Sequence, residues 1–233
     1  MKLRLLAVVF VGVTLLGPMA VASGASSSKT PYAQMRTVIA DANAQRSVRL
    51  TTTATMSGLK IVEVTDAGRS AGRQSITLTK LGYANTVKIE LIAGKLYVKG
   101  DASILTSYLA LPQATANELA GQWFGIPKSS GYYAQVADGM TISTALAEVT
   151  MTNAVASEPA VMLDGALVDV LKGTSVKSTL EPSFDESLFV STAKRPLPVE
   201  VTQVVQGSLG TIVFSHWDEM IVLSAPRVSL HLN

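Results

Sequence analysis

Apolar and polar residues alternate strictly in the segment Val87-Lys88-Ile89-Glu90-Leu91. Successive side chains of a strand point to opposite faces, so this period of two predicts a strand with one buried and one solvated face. Ala93-Gly94 follows, and the alternation resumes in Lys95-Leu96-Tyr97-Val98-Lys99, which predicts a β-hairpin. The same period begins near Ser47 and returns after Ala166. The sequence therefore predicts a fold built on antiparallel strands.

Strand signals separated by turn residues continue to the end of the chain, whereas Ser157-Glu158-Pro159 is predicted to divide them from the preceding helix. The predicted C-terminal strands are Ala166–Leu171, Val176–Leu180, Leu188–Ser191, Leu197–Val205, Thr211–His216 and Met220–Leu223.

Helical spacing occurs once before the strands and again in a single block among them. Thr30-Pro31 is a helix start, followed by apolar residues at three- and four-residue steps. Asp101 and Thr141 are candidate N-caps of two further helices. Leu111-Pro112 is predicted to end the helix that begins at Asp101 and to separate it from a fourth helix. Trp123 to Pro127 is predicted to be a short extended segment. Because the middle helices form one insertion between two runs of strands, this order predicts an α+β fold. It has a single curved antiparallel sheet of about ten strands, covered on one face by about four helices.

The N-terminus has the order of a secretory signal peptide. Two basic residues in Met1 to Arg4 precede the apolar run Leu5 to Leu16, and Gly17-Pro18 and a series of small residues follow. We predict a signal peptide over 1–25, with cleavage after Ala22 or Ala25, and one domain over 26–233. The mature protein is then secreted, periplasmic or part of the cell envelope. An uncleaved membrane anchor is the alternative, since the apolar segment reaches the lower end of the length that spans a bilayer.

Composition excludes several functions. The chain has 19 Lys and Arg residues and 17 Asp and Glu residues, so loss of Lys2 and Arg4 leaves 17 of each sign. A chain of no net charge lacks the positive field that nucleic acid binding requires. The chain contains no cysteine and only two histidines, which argues against thiol chemistry, a cysteine zinc site and a lipid-modified cysteine. We predict no metal, no cofactor and no nucleic acid partner.

Catalytic motifs are weak. Ser191-Thr192-Ala193-Lys194 has the S-x-x-K spacing, but it lies in a segment predicted to be extended, where the serine and lysine are not one helical turn apart. The pairs Asp185-Glu186 and Asp218-Glu219 are predicted to be solvated turns. A secreted hydrolase that uses His216 in a triad stays open, because triads assemble from distant parts of a chain. The sequence favours a protein that is not an enzyme.

Several segments together resemble the LppX/LprG type of actinobacterial cell-envelope lipoproteins. The first is Gly94 to Asp101, followed by the helical block, Trp123 and Ile126-Pro127. Gly139 to Val149 corresponds in position to an apolar helix of that family. The segments Lys194 to Val201, Gly210 to Trp217 and Ala225-Pro226 follow the closing strands of the family in the same order. The similarity spans nearly the whole chain after the signal peptide and depends on the order and spacing of these segments.

The resemblance implies a fold similar to that of the LolA/LolB carriers. That fold is an open antiparallel half-barrel with helices on its concave face and an apolar cavity between the two layers. The resemblance also implies binding or transfer of lipids, lipoglycans or acylated proteins, together with an envelope or membrane transport partner. Members of the family are usually anchored through a lipid on a cysteine. This chain has no cysteine, so we predict that it is not lipid-anchored.

The apolar faces of the predicted strands and helices supply candidate cavity residues. Burial of about fifteen methylenes of an acyl chain contributes up to ~12 kcal/mol before the costs of association, so an apolar cavity binds such a chain without a catalytic residue. We predict a non-enzymatic lipid-, lipoglycan- or acyl-chain-binding carrier of the envelope. The alternative is a structural or partner-binding envelope protein of the same fold, in which these residues fill an ordinary core. The predicted lining residues are Val87, Ile89, Leu91, Leu96, Val98, Leu105, Leu109, Leu119, Ile142, Leu146, Val149, Val199, Val201, Ile212 and Phe214.

Overall fold

The computed structural model describes residues 30–151, 153–175, 184–205, 208–228 and 230–232. The predicted signal peptide over 1–25 lies outside the described residues, as does the predicted strand Val176–Leu180. The helices of the described part are α1 (Pro31–Asn43), α2 (Ala102–Leu109), α3 (Gln113–Leu119), α4 (Tyr133–Ala137) and α5 (Ile142–Ala147).

The strands form one sheet in the order β12-β6-β5-β4-β3-β2-β1-β11-β10-β9-β8-β7. All pairs are antiparallel except the two-residue pairing of β12 with β6. The first and last strands of this order do not pair in the described residues, so the sheet is open. The strands are β1 (Ser47–Met56), β2 (Leu59–Gly68), β3 (Gly72–Lys80), β4 (Tyr83–Ile92), β5 (Lys95–Gly100), β6 (Phe124–Ile126), β7 (Asn153–Leu163), β8 (Ala166–Ser175), β9 (Phe184–Ser191), β10 (Pro198–Val205), β11 (Ser208–Ser215) and β12 (Leu230–His231).

The predicted fold class is confirmed: the protein is α+β, with one open, curved antiparallel sheet and its helices on one face. Local signals fix the ends of several helices. Thr30 accepts a hydrogen bond from the Ala33 amide at the start of α1, and Thr141 forms a capping box with Thr144 at the start of α5. Asp101 occupies the N-cap of α2 without a side-chain capping bond. The caps of α1 and α5 satisfy backbone N–H groups that the start of a helix leaves without partners.

Three predictions about individual elements were wrong, and one helix was missed. The pair Asp185-Glu186 was expected to be a solvated turn, but it lies within β9, where Glu186 is buried. Ser157-Glu158-Pro159 was expected to be a break, but it lies within β7, at the edge of the sheet. Proline is tolerated there because an edge strand and its bulges do not require every amide, and β7 has a register shift between Glu158 and Val161. Met220–Leu223 was expected to be a strand and is irregular, since no neighbouring strand pairs with it in the described residues. The short helix α4 was not predicted.

The helices pack on the sheet in two places and form two hydrophobic clusters. In the first cluster, α1 and α5 pack on β1 and the strands from β8 to β11. In the second, α2, α3 and the segment around α4 pack on β3 to β6. The two clusters lie toward opposite edges of the sheet. Neither of them fills the space over the middle of the sheet.

The opposite face of the sheet carries an ion cluster between β1, β2 and β3. Arg49 Nε lies 2.6 Å from Asp66 Oδ1, and Arg73 Nε lies 2.6 Å from Asp66 Oδ2. Burial raises the pKa of the Asp66 carboxyl, but the hydrogen bonds and charges of the two arginines outweigh burial and hold that pKa below its usual range. The cluster joins three adjacent central strands.

Candidate functional site

A cavity of about 500 Å³ lies between the two hydrophobic clusters. The central strands β1 to β4 and β11 form one wall, and α2 together with the end of α5 forms the other. Its volume is within the range of ~300 to 1,000 Å³ that is usual for small-molecule sites. The lining residues are Leu50, Thr52, Leu59, Ile61, Glu63, Thr65, Gln74, Ile76, Leu78, Lys80, Tyr83, Asn85, Ser103, Ser107, Tyr108, Gly139, Ala145, Glu148, Val149 and Ile212.

Alternation on the strands explains why these side chains share one face. Ile61, Glu63 and Thr65 are two residues apart on β2, and their partners on β3 are Leu78, Ile76 and Gln74. Residues opposite each other in an antiparallel pair point to the same side of the sheet. The central strands therefore present an apolar surface interrupted by a group of polar side chains, Glu63, Thr65 and Gln74. Thr52 and Asn85 are further polar residues of the same wall.

That polar group forms a hydrogen-bond network on the sheet wall. Gln74 Nε2 donates to Glu63 Oε1 at 2.7 Å and lies 3.0 Å from Thr65 Oγ1, and the Thr65 hydroxyl donates to Glu63 Oε1 at 3.2 Å. Gln74 and Thr65 are almost completely buried. Buried polar groups are costly unless they are bonded, so these three hydrogen bonds offset part of the cost of the network. Gln74 Oε1 is buried and has no partner among the described residues.

Tyr108 faces this network from α2 and is also buried. Its hydroxyl has no hydrogen-bond partner among the described residues. Burial raises the pKa of the Tyr108 phenol above its ordinary value, and the negative charges of Glu63, Glu148 and Asp138 raise it further. An unpaired hydroxyl therefore lies at the edge of the cavity, within the influence of three acidic side chains.

Replacement of this tyrosine tests the environment of the cavity. In the unliganded protein, Tyr108→Phe is expected to raise the free energy of unfolding by about 1 kcal/mol, because it removes a buried hydroxyl that has no partner. Since the folded-state pKa is raised, the stability of the wild type is complete below about pH 10 and falls as the pH rises further, and this loss is smaller in the variant. Urea unfolding between pH 7 and pH 11 measures both effects.

Tyr133 provides the matched control for this substitution. Its hydroxyl donates to the Gly94 carbonyl oxygen at 2.7 Å. Tyr133→Phe is therefore expected to lower stability at pH 7 by about 1 kcal/mol, the opposite sign. Equal destabilisation in both variants would contradict an unpaired Tyr108 hydroxyl.

The cavity reaches solvent between the β3–β4 hairpin and α2. Among its lining residues, Lys80 and Tyr83 on the hairpin and Ser103 and Ser107 on α2 are exposed. We call the opening bounded by these four residues the cavity mouth. A ligand therefore has a route to the interior that does not cross either hydrophobic cluster.

Two of the fifteen residues predicted to line a cavity, Val149 and Ile212, do line this one. Val199 is half-buried on β10, and ligand binding by the whole set remains a prediction. The other members are buried in the two clusters. The first cluster contains Ile142, Leu146, Val201 and Phe214, and the second contains Val87, Ile89, Leu91, Leu96, Val98, Leu105, Leu109 and Leu119.

Sequence reasoning missed the polar network on the cavity wall. The signal that could have found it is the alternation on β2, where Glu63 and Thr65 continue the face that begins with Ile61. The other face of that strand carries Val62 and Val64 but also Lys60 and Asp66, so both faces of this strand mix apolar and charged residues. The apolar residues of this segment predict a strand, but they do not indicate the polar side chains on its cavity face.

The catalytic candidates do not assemble into a site. His216 Nδ1 lies 2.8 Å from Glu219 Oε1, three residues away, in an exposed position. Ser191 ends β9, and its hydroxyl accepts a hydrogen bond from the Leu197 amide, whereas Lys194 is exposed in the bend that follows.

Within the described ranges, no group of three or more His, Cys, Asp or Glu side chains is placed to hold a metal ion. No helix of the described ranges is long and apolar enough to span a membrane.

Known proteins were compared with the chain by sequence and by structure. No protein-family model and no curated protein sequence matches it. The structure is similar to that of LprF from Mycobacterium bovis, with a TM-score of 0.57 and 10% sequence identity over 84% of this chain and 96% of that chain. It is also similar to lipoprotein LppX from Mycobacterium tuberculosis, with a TM-score of 0.50 and 14% identity over 83% of this chain and 98% of that chain. The chain thus has the fold of these two proteins, and the resemblance to LppX/LprG-type proteins is confirmed at the level of the fold.

Proposed function

We propose that the protein is a non-enzymatic carrier of the bacterial cell envelope that binds a lipid, a lipoglycan or an acylated ligand in the cavity between the central strands and α2 and α5. The observation that carries this proposal is the cavity itself, which separates two well-packed hydrophobic clusters. A core that served stability alone would be more stable if this space were filled, because an empty cavity forfeits packing interactions.

The lining matches an amphiphile better than a fully apolar or a fully polar ligand. Leu50, Ile61, Ile76 and Leu78 give apolar surface on the strands, on either side of the polar network. Transfer of an acyl chain from water to such a surface contributes about 0.8 kcal/mol for each buried methylene. The polar network around Glu63 lies on the same wall, so a ligand group that donates a hydrogen bond is favoured beside it.

The direct test is the identity of whatever copurifies with the protein. Mass spectrometry of organic extracts of the protein, expressed in a host with a native-like envelope, is expected to detect a lipid in stoichiometric amount. Only traces of lipid would favour the alternative of a structural or partner-binding protein. Hydrolysis of short acyl esters that disappears in His216→Ala would instead favour a secreted hydrolase.

Filling the cavity should block loading. Leu78→Trp places a larger side chain on the strand wall, and we expect at least tenfold weaker binding of a fluorescent fatty acid, since the methylenes it displaces each contribute about 0.8 kcal/mol. Ala145→Trp on α5 gives a second route to the same result from the opposite wall. Titration of the probe into each folded variant, with folding checked by circular dichroism, measures the effect.

Ala147→Trp is the control for steric bulk on α5. Ala147 belongs to the same helix but is exposed, so its replacement adds the same side chain outside the cavity. We expect its affinity for the probe to equal that of the wild type. Equal affinity in all three tryptophan variants would contradict this binding site.

A further inference from the structure

The turn between β3 and β4 carries a residue that its backbone disfavours. Leu81 and Gly82 have φ values of 51° and 83°, the pattern of a two-residue hairpin turn that favours asparagine followed by glycine. A branched apolar residue in this left-handed region is strained. The side chain of Leu81 is also 87% exposed, so it gains little from packing. Neither local geometry nor burial explains a leucine at this position.

Comparable turns of the same chain follow the usual rule. Ser57-Gly58, Ala93-Gly94 and Asp164-Gly165 also have two successive positive φ values. Their first residues are small or polar, as the left-handed conformation and exposure to solvent favour. Leu81 is therefore the exception among these four turns, which points to a role outside the folded chain.

Its neighbours place Leu81 at the cavity mouth. Lys80 and Tyr83 flank the turn and both line the cavity, and Tyr83 is 80% exposed. We call the segment Lys80–Tyr83 the hairpin tip. A tyrosine beside an exposed aliphatic residue is typical of a surface that enters the boundary between water and a bilayer, where the ring is buried and the hydroxyl stays hydrated.

The charge around the hairpin tip has one sign. Residues 54–62 and 77–87 form the ends of two adjacent hairpins, and their charged residues are Lys60 and Lys80, with no acidic residue. Both lysines are exposed. A lysine near an anionic membrane surface contributes about 1 kcal/mol to attraction. An apolar tip between two cations fits a membrane with anionic headgroups.

We propose that the hairpin tip docks on a lipid bilayer that contains anionic headgroups, with Leu81 and Tyr83 inserted into the interface and Lys60 and Lys80 against the headgroups. In this docked orientation, the cavity mouth faces the membrane. Its use in ligand exchange rests on the proposed function, but the docking itself does not. A single shallow tip gives weak and reversible attachment, which suits repeated loading and release.

Cosedimentation with vesicles tests the proposal. With vesicles of phosphatidylcholine and phosphatidylglycerol, Leu81→Asn is expected to weaken binding about tenfold or more, because it removes the inserted side chain. Asparagine suits this turn, so the fold is expected to be retained. The double variant Lys60→Gln/Lys80→Gln is expected to bind these vesicles more weakly and to lose most of the salt dependence, without a change on pure phosphatidylcholine.

Met220→Asn is the matched control. Met220 is also 87% exposed. It lies away from the hairpin tip, at the opposite end of β1, because the carbonyl oxygen of the preceding Glu219 accepts a hydrogen bond from the Ser47 hydroxyl. All variants share the same N-terminus, so differences between them report on the substituted side chains. Unchanged vesicle binding in Leu81→Asn, or equal loss in Met220→Asn, would overturn the proposal. A dimer in sedimentation velocity that Leu81→Asn dissociates would overturn it in favour of a second copy of the chain.

A vesicle-free measurement separates this proposal from the proposed function. Leu81→Asn is expected to bind a fluorescent fatty acid in buffer as the wild type does, because Leu81 does not line the cavity. Leu78→Trp is expected to lose the fatty acid but to keep its affinity for vesicles. Loss of fatty-acid binding in both variants, with vesicle binding unchanged in both, would contradict membrane docking and leave the cavity as the only site.

Discussion

Gly72→Ala is expected to lower the free energy of unfolding by about 3 kcal/mol, because the added methyl group has no space. Its Cβ would lie inside contact distance of the Met140 carbonyl oxygen and 3.0 Å from the Asp66 carbonyl oxygen. Both atoms belong to the backbone and cannot rotate away. Relief of the clash requires separation of β3 from the segment before α5.

The position of this clash matters for the site. Thr141, which caps α5, also forms a backbone bridge to Gly68 at the end of β2. Gly72 and Gly68 therefore allow the segment at the start of α5 to approach the sheet closely. That helix carries the cavity residue Ala145. We expect Gly72→Ala to weaken fatty-acid binding as well as stability.

Urea unfolding monitored by circular dichroism measures the loss of stability. Gly131→Ala is the control, since a Cβ at Gly131 meets nothing within 4 Å and its backbone does not require glycine. That variant is expected to unfold within about 0.5 kcal/mol of the wild type. A similar result for Gly72→Ala would show that the sheet and the α5 segment are farther apart than described.

Leu105→Ala is expected to destabilise the protein by about 3 kcal/mol, since it opens a void in a packed cluster. Leu105 is completely buried on α2, and its Cδ2 lies 3.4 Å from the position that a Cβ would take on Gly100. The same helix carries Tyr108, Ser103 and Ser107 on the cavity wall. The leucine therefore holds α2 on the sheet without itself lining the cavity.

This difference between support and contact can be measured. Below the unfolding transition, the affinity of Leu105→Ala for a fluorescent fatty acid is expected to stay within about threefold of the wild type, whereas Leu78→Trp loses at least about tenfold. Ser107→Ala, on the same helix but exposed, is the stability control. A large loss of affinity in Leu105→Ala with little loss of stability would instead place Leu105 in the binding site, as the sequence analysis predicted.

Much of the fold was predictable because its signals are local. The alternation in Val87 to Leu91 predicted β4, and Ala93-Gly94 predicted the turn to β5, with φ values of 49° and 73° in the structure. Thr141 predicted the start of α5, where its side chain does form the capping box. Each of these signals acts between residues a few positions apart, so the surrounding protein is not needed to interpret it.

Elements that depend on distant partners were predicted less well. The residues of Met220–Leu223 have the composition of a strand, but a strand exists only where another strand accepts its hydrogen bonds. Conversely, β7 contains a proline and is largely exposed, yet β8 supplies it with a partner. Local propensity is overridden in both segments by what lies beside them.

By itself, the sequence determined an antiparallel sheet, the positions of most helices and a set of apolar side chains directed toward one another. The tertiary structure alone decided which of those side chains fill a core and which face a cavity. Leu146 and Val149 are both aliphatic, lie close together in the chain and belong to the same hydrophobic cluster, but only Val149 also lines the cavity. The physical reason is that removal of an apolar side chain from water is favourable both in a packed core and in a cavity wall, so hydrophobicity does not distinguish the two. Whether a cavity exists depends on the distance at which packing elsewhere holds the helices from the sheet.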